Sequence, residues 1–252
     1  MMNGHLLIGF ILFASALIHG LVGFAFATTA LPLLALIKGV KFSVPLLSLL
    51  SLLVNLATFV MLKNKDMSKL PLSFIFAILA GVVVGVYGFK IASEPTLKII
   101  LFFAILSYFI WEMFKALFKR GESYLEEVKP QVFKSFKSLT VAFIVGFLGG
   151  ILYTPGPPIV IYLSILRVKK EVFMATLQVV FMITAFFAII NHILQGNVTQ
   201  ETFSSFMISL PIVLLGIYLG QRLYIRVSTK VFYYLVNIIL FISAVLLLLE
   251  IY

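Results

Sequence analysis

Two stretches decide the architecture: Gly20-LVGFAFATTAL-Pro32 and, 130 residues on, Gly150-ILYTPGPPIVI-Tyr162. Each sets glycine and proline inside hydrocarbon-rich sequence, within apolar runs spanning 4–37 and 138–166. Such runs are too long for one crossing of a ~30 Å hydrocarbon slab and too short for two full ones. The interruptions are Gly20, Gly23 and Pro32 in the first run, and Gly149, Gly150, Pro155, Gly156, Pro157 and Pro158 in the second. Helices broken at these points are the expectation.

Outward from the two breaks lie six apolar runs of ordinary spanning length, at about 43–62, 71–89, 96–115, 172–194, 202–221 and 230–250. The chain of 252 residues is 62% apolar and 11% charged, far from the composition of water-soluble domains. Lipid admits only helices or closed barrels, and the runs have helical rather than strand length. The order of features also repeats: Gly20 lies over Gly150, Pro32 over Tyr162, and Gly85-VY-Gly88 over Gly216-IYL-Gly220 at nearly the same offset. The expected fold is therefore an all-α integral membrane protein of two repeats, each a broken or re-entrant helical segment plus three spanning helices. Repeat one takes 1–118, a cytoplasmic connecting loop 119–137, and repeat two 138–252.

Charge sets the orientation. If each broken segment returns to the side it entered, fifteen of the nineteen Lys and Arg residues fall on one side, and only Lys38, Lys41, Lys90 and Lys98 on the other. If each crosses once, the split is nine against ten. The positive-inside rule selects the first arrangement, with both termini outside and the two repeats inverted. Parity leaves open whether a broken segment is a re-entrant hairpin or two short full spans; arms of about 14 residues favour the hairpin. The net charge of +10 then reads as topology-setting charge, not as a nucleic-acid footprint. The opening MMNGH has no Lys or Arg, so the positive region of a secretory signal is missing and the N-terminus is expected to be retained.

Non-helical backbone at membrane depth must face protein or a wet cavity, so both breaks point inward. A half-helix beginning there offers unpaired N–H groups and the positive end of its dipole, which suits an anion. Thr28, Thr29 and Thr154 lie within the breaks, with Gly156 opening the second half-helix. Ser48, Ser51, Asn55 and Thr58 share one face of the next helix, and Gln178 aligns with Ser48 in repeat two. The expected substrate-binding set is Thr28, Thr29, Ser48, Asn55, Thr154, Gly156 and Gln178; helix capping and helix–helix hydrogen bonding are the other uses of the same groups. All nine Asp and Glu residues sit in loops or near span ends, leaving His19 as the possible proton handle at mid-depth. Cys is absent, as are HExxH, GxSxG and the ATP-binding GxxxxGK[ST] pattern, so neither an enzyme, nor a metal or other cofactor, nor an ATP-driven pump is expected. A secondary carrier of a small anion, its site between two broken helices that rock to give alternating access, is the leading expectation. A non-transporting scaffold or receptor and an intramembrane enzyme are the alternatives.

The pattern G-x-x-G-F followed by Pro32, and Gly146-FLGGILYTPGPPIVI-Tyr162 in the second half, resemble the sulfite exporter TauE/SafE family. Gly216 to Arg222 resembles that family's G-x-x-L-G-x-R, and Gly156 to Tyr162 the GPP-x-x-x-Y form of one branch. Ala25, Ala27, Thr28 and Thr29 stand where many relatives carry a run of glycines. The resemblance implies a bacterial or archaeal inner-membrane carrier whose partners are the lipid bilayer and a small anion such as sulfite, an organosulfonate or a small organic anion. Ser123→Cys and Gly196→Cys, made singly in this Cys-free chain, are expected to react with an impermeant thiol reagent from opposite faces of the membrane. Labelling of both from one face refutes the inverted arrangement.

Overall fold

Apolar runs that must satisfy their own backbone become helices, and the computed structural model has nine α-helices and no strand among the residues it describes: 2–62, 65, 67, 69–117, 132–166 and 170–223. They are α1 (Met2–Val22), α2 (Phe26–Lys38), α3 (Val40–Met61), α4 (Leu72–Ile91), α5 (Glu94–Leu117), α6 (Phe136–Ile151), α7 (Gly156–Ile165), α8 (Lys170–Leu194) and α9 (Gln200–Leu223). A short 3-10 turn at Val132–Lys134 precedes α6. Val40–Met61, Leu72–Ile91, Glu171–Leu194 and Gln200–Leu223 are long and apolar enough to cross a membrane, and α5 covers the expected span at 96–115. The expected span at 230–250 and residues 119–131 of the connecting loop lie outside the described residues.

Both long runs are broken, but at fewer of the expected residues. The helical path stops at residues 23–25 and again at 152–155. Gly20, Gly149 and Gly150 stay helical, Pro32 lies inside α2, and Gly156, Pro157 and Pro158 form the first turn of α7. Proline is tolerated in a first turn because its missing N–H had no intrahelical partner there. Gly23 stops α1 in the left-handed region, at φ 86°, where glycine carries no Cβ penalty. The arms are unequal rather than about 14 residues each. At 1.5 Å per residue α1 is about 31 Å long and α2 about 20 Å, while α6 is about 24 Å and α7 about 15 Å.

Both segments fold back. Ser138 in the first turn of α6 shares a hydrogen bond with Tyr162 near the end of α7, and Phe133 packs edge-on against Tyr162 at 6.1 Å. In the first segment, Lys38 at the end of α2 pairs with Glu201 at the start of α9, 2.8 Å away. Glu94, opening α5, accepts from the N–H groups of Val40 and Lys41 and so caps α3 at that same end. Lys90 donates to Gln195 across 2.9 Å and Phe89 meets His192 edge-on, bringing the ends of α4 and α8 together.

The closest helix pairs are built on glycine. A Cβ on Gly81 would lie 2.1 Å from the Phe143 carbonyl oxygen, on Gly85 2.3 Å from that of Phe147, and on Gly146 2.0 Å from that of Ile78. Contact points that advance together along α4 and α6 mean the two run in parallel. The pair α1 and α9 repeats the device: a Cβ on Gly20 would lie 2.5 Å from the Ile217 carbonyl oxygen, and on Gly220 2.2 Å from that of Leu17. Lipid supplies no hydrophobic drive for helices to associate, so close van der Waals approach over small residues does the work. Between these pairs α3 packs on α8, with α2 against α3 and α7 against α8. Exchanging α1–α4 with α6–α9 maps this packing onto itself.

Gly81→Ala is expected to lower stability by about 1–3 kcal/mol, because its Cβ meets backbone that cannot step aside. Gly9→Ala, whose Cβ would meet only the Ile212 Cδ1 at 3.5 Å, is expected to be neutral or slightly stabilising. Thermal unfolding in detergent checks the pair; equal midpoints would contradict the packing account.

Candidate functional site

A helix that starts in mid-membrane leaves its first N–H groups without partners, and each half-helix start deals with this differently. At α2, Ala25 in the cap position offers no side-chain acceptor. The Phe26 N–H instead donates to His19 Nδ1, 3.3 Å away. An Nδ1 that accepts a hydrogen bond leaves the neutral ring's hydrogen on Nε2, so His19 presents an N–H donor there. Thr28 and Thr29 turn their hydroxyls onto the Ala25 carbonyl at 3.1 and 2.7 Å, spending their donors on their own helix. At α7, Pro157 and Pro158 have no N–H, so its first turn offers only those of Gly156 and Ile159.

Both starts open on one cavity of about 20 Å3, room for a water or two. His19, Thr28, Asn55, Thr154 and Gly156 line it, together with Ser51 and Tyr153, and Phe24, Phe26 and Phe181 form apolar walls. Four buried polar atoms of these lining residues have no hydrogen-bond partner: His19 Nε2, Ser51 Oγ, Tyr153 Oη and Thr154 Oγ1. All four can donate. No Lys, Arg, Asp or Glu lines the cavity, and among the described residues no three His, Cys, Asp or Glu side chains are grouped to hold a metal. Convergent neutral donors without a counter-charge suit a group that brings its own negative charge and acceptors.

Of the residues expected from sequence, five therefore meet at the cavity: His19, Thr28, Asn55, Thr154 and Gly156. Thr29, Ser48 and Gln178 are buried but not part of its lining. The Ser48 hydroxyl donates to the Pro45 carbonyl at 2.7 Å. Gln178 Nε2 donates to the Gly23 carbonyl, the group freed where α1 stops, while its Oε1 is unpartnered.

Tyr153 went unselected in the sequence, and Ser51 was noted only as sharing a helix face. Among the described residues Tyr153 alone is a non-glycine with positive φ, at 49°, a conformation costing about 1–3 kcal/mol for such a side chain. The 130-residue offset held the signal: it lays Tyr153 over Gly23, the other left-handed stop.

The model of one protein family, Sulfite exporter TauE/SafE, matches residues 7–247. No curated protein and no solved structure matches the chain.

Gln178→Leu leaves the buried Gly23 carbonyl without its donor, and is expected to destabilise the protein by about 1–3 kcal/mol. Thermal unfolding of purified protein measures this; a midpoint equal to the wild type's would mean that the first break does not depend on that bond.

Proposed function

The chain belongs to the sulfite exporter TauE/SafE family, and from that premise we propose that it is a secondary carrier of a small oxyanion: sulfite, an organosulfonate or a small organic anion. It is a multi-pass membrane transporter, not an enzyme. The observation that carries the substrate class is the cavity between the starts of α2 and α7, with four unpartnered donors and no charged side chain. Neutral donors hold an anion loosely enough to release it, whereas a buried Lys or Arg would hold it by full charge.

In this reading the two repeats are inverted and rock about the cavity to give alternating access. Support comes from the packing. α1 runs parallel to α9 and α6 parallel to α4, while α4 ends beside the end of α8 and so beside the start of α9. The first helices of the two repeats thus run in opposite senses. Both termini are placed outside and the 119–137 loop in the cytoplasm of a bacterial or archaeal inner membrane, on the strength of the charge asymmetry. Export follows the membrane potential: an inside-negative potential favours outward movement of an anion by about 2.3 kcal/mol per charge per 100 mV. Arg222, near the end of α9 with its guanidinium 4.6 Å from the Tyr218 ring centroid, sits on the cytoplasmic side in this orientation and attracts the anion to the entrance.

Purified protein in liposomes is expected to move sulfite or methanesulfonate down its gradient. Joint Ser51→Ala and Thr154→Val substitution is expected to cut the rate at least about ten-fold, since hydrogen bonds to a charged group each contribute about 1.5–3 kcal/mol. Liposomes that passed cations or neutral solutes and ignored sulfite, sulfonates and carboxylates would overturn the proposal.

A further inference from the structure

Resting on that reading of the cavity, we propose that Tyr153 determines which anions the carrier accepts, its hydroxyl selecting for oxyanions and its ring limiting their size. Its backbone and its side chain both point to that use. Its backbone is held in the left-handed region at φ 49°, a place where repeat one uses Gly23. Glycine would adopt this conformation without strain, so the stop itself gives no reason for a tyrosine. The backbone around it is fixed, with the N–H groups of Leu152 and Thr154 both bonded to the Leu148 carbonyl at 3.1 Å. A strained residue held by its surroundings at a site points to a use for its side chain.

The side chain is where that use lies. Tyr153 is 2% exposed, it shares the cavity wall with Ser51 and Asn55, and its hydroxyl has no hydrogen-bond partner of normal geometry. A buried phenol normally finds a partner. Here it joins Ser51 Oγ, Thr154 Oγ1 and His19 Nε2 as an unpartnered group on residues that line the same small cavity. Donors arriving from α1, α3 and the second break match an anion with several acceptor oxygens better than a single-atom ion. The ring is itself part of the wall, so it also sets how much substituent the cavity admits beside the oxyanion.

The test uses the full chain in liposomes, with sulfite as the transported probe and chloride, methanesulfonate and a bulkier aryl sulfonate as competitors. Tyr153→Phe keeps the ring and removes the hydroxyl: the sulfite KM is expected to rise about ten-fold or more, while inhibition by chloride changes less than about two-fold. Tyr153→Gly fits the left-handed backbone without strain and empties the volume of the ring. It is expected to elute as wild type does and to become susceptible to the aryl sulfonate, which wild type excludes. A wild-type sulfite KM and competitor order in both variants would overturn the assignment while leaving the carrier proposal standing. Equal loss for sulfite and chloride in Tyr153→Phe would also overturn it, marking a structural role. Absence of sulfite transport by the wild type would instead remove the premise.

Discussion

A carbonyl or N–H group freed inside a membrane has no water to bond to, and both broken segments must answer that constraint. The first does so with side chains brought from elsewhere. Gln178 of α8 takes the Gly23 carbonyl, and His19 of α1 takes the first N–H of α2. The second uses sequence instead, placing two prolines in the first turn of α7 so that two of the orphan donors do not exist. These answers differ in kind, and the cavity is correspondingly lopsided: the α2 side supplies a histidine cap, the α7 side the hydroxyls of Tyr153 and Thr154.

The glycine contacts follow from the same constraint. Each broken segment is sheltered from lipid by the partner helix on which its first arm lies, α9 for α1 and α4 for α6. Close approach there is possible because Gly20, Gly81, Gly85, Gly146, Gly150, Gly216 and Gly220 put no Cβ between backbones. Each of these pairs joins one repeat to the other. Neither broken segment is therefore packed chiefly by its own half of the chain.

Much of this was legible in the sequence. Run lengths placed four spans within a few residues of α3, α4, α8 and α9, because hydrocarbon thickness dictates helix length. The Gly and Pro interruptions pointed to both broken segments, and five of the residues singled out beside them, His19, Thr28, Asn55, Thr154 and Gly156, line the cavity. What that reading missed has identifiable causes. Gly20, Gly149 and Gly150 were read as helix breakers, but a glycine that serves close packing looks the same in one sequence as a glycine that stops a helix. Gln178 lies deep in the sequence pattern, and depth alone does not say whether an amide faces a substrate or a freed carbonyl such as that of Gly23. Tyr153 does not stand out by residue type, because aromatic residues in an apolar chain are ordinarily core. The 130-residue offset lays it over Gly23, but its left-handed backbone is conformation rather than composition.

The central claim is that the cavity between the starts of α2 and α7 holds the transported anion. Selenite has the same charge and shape as sulfite and carries a heavy atom that scatters anomalously. A crystal of the protein grown with selenite should show one anomalous peak inside the ring formed by His19, Ser51, Tyr153 and Thr154, with the cavity widened around it. An anomalous peak elsewhere in the transmembrane region, with this cavity unchanged, would contradict the account.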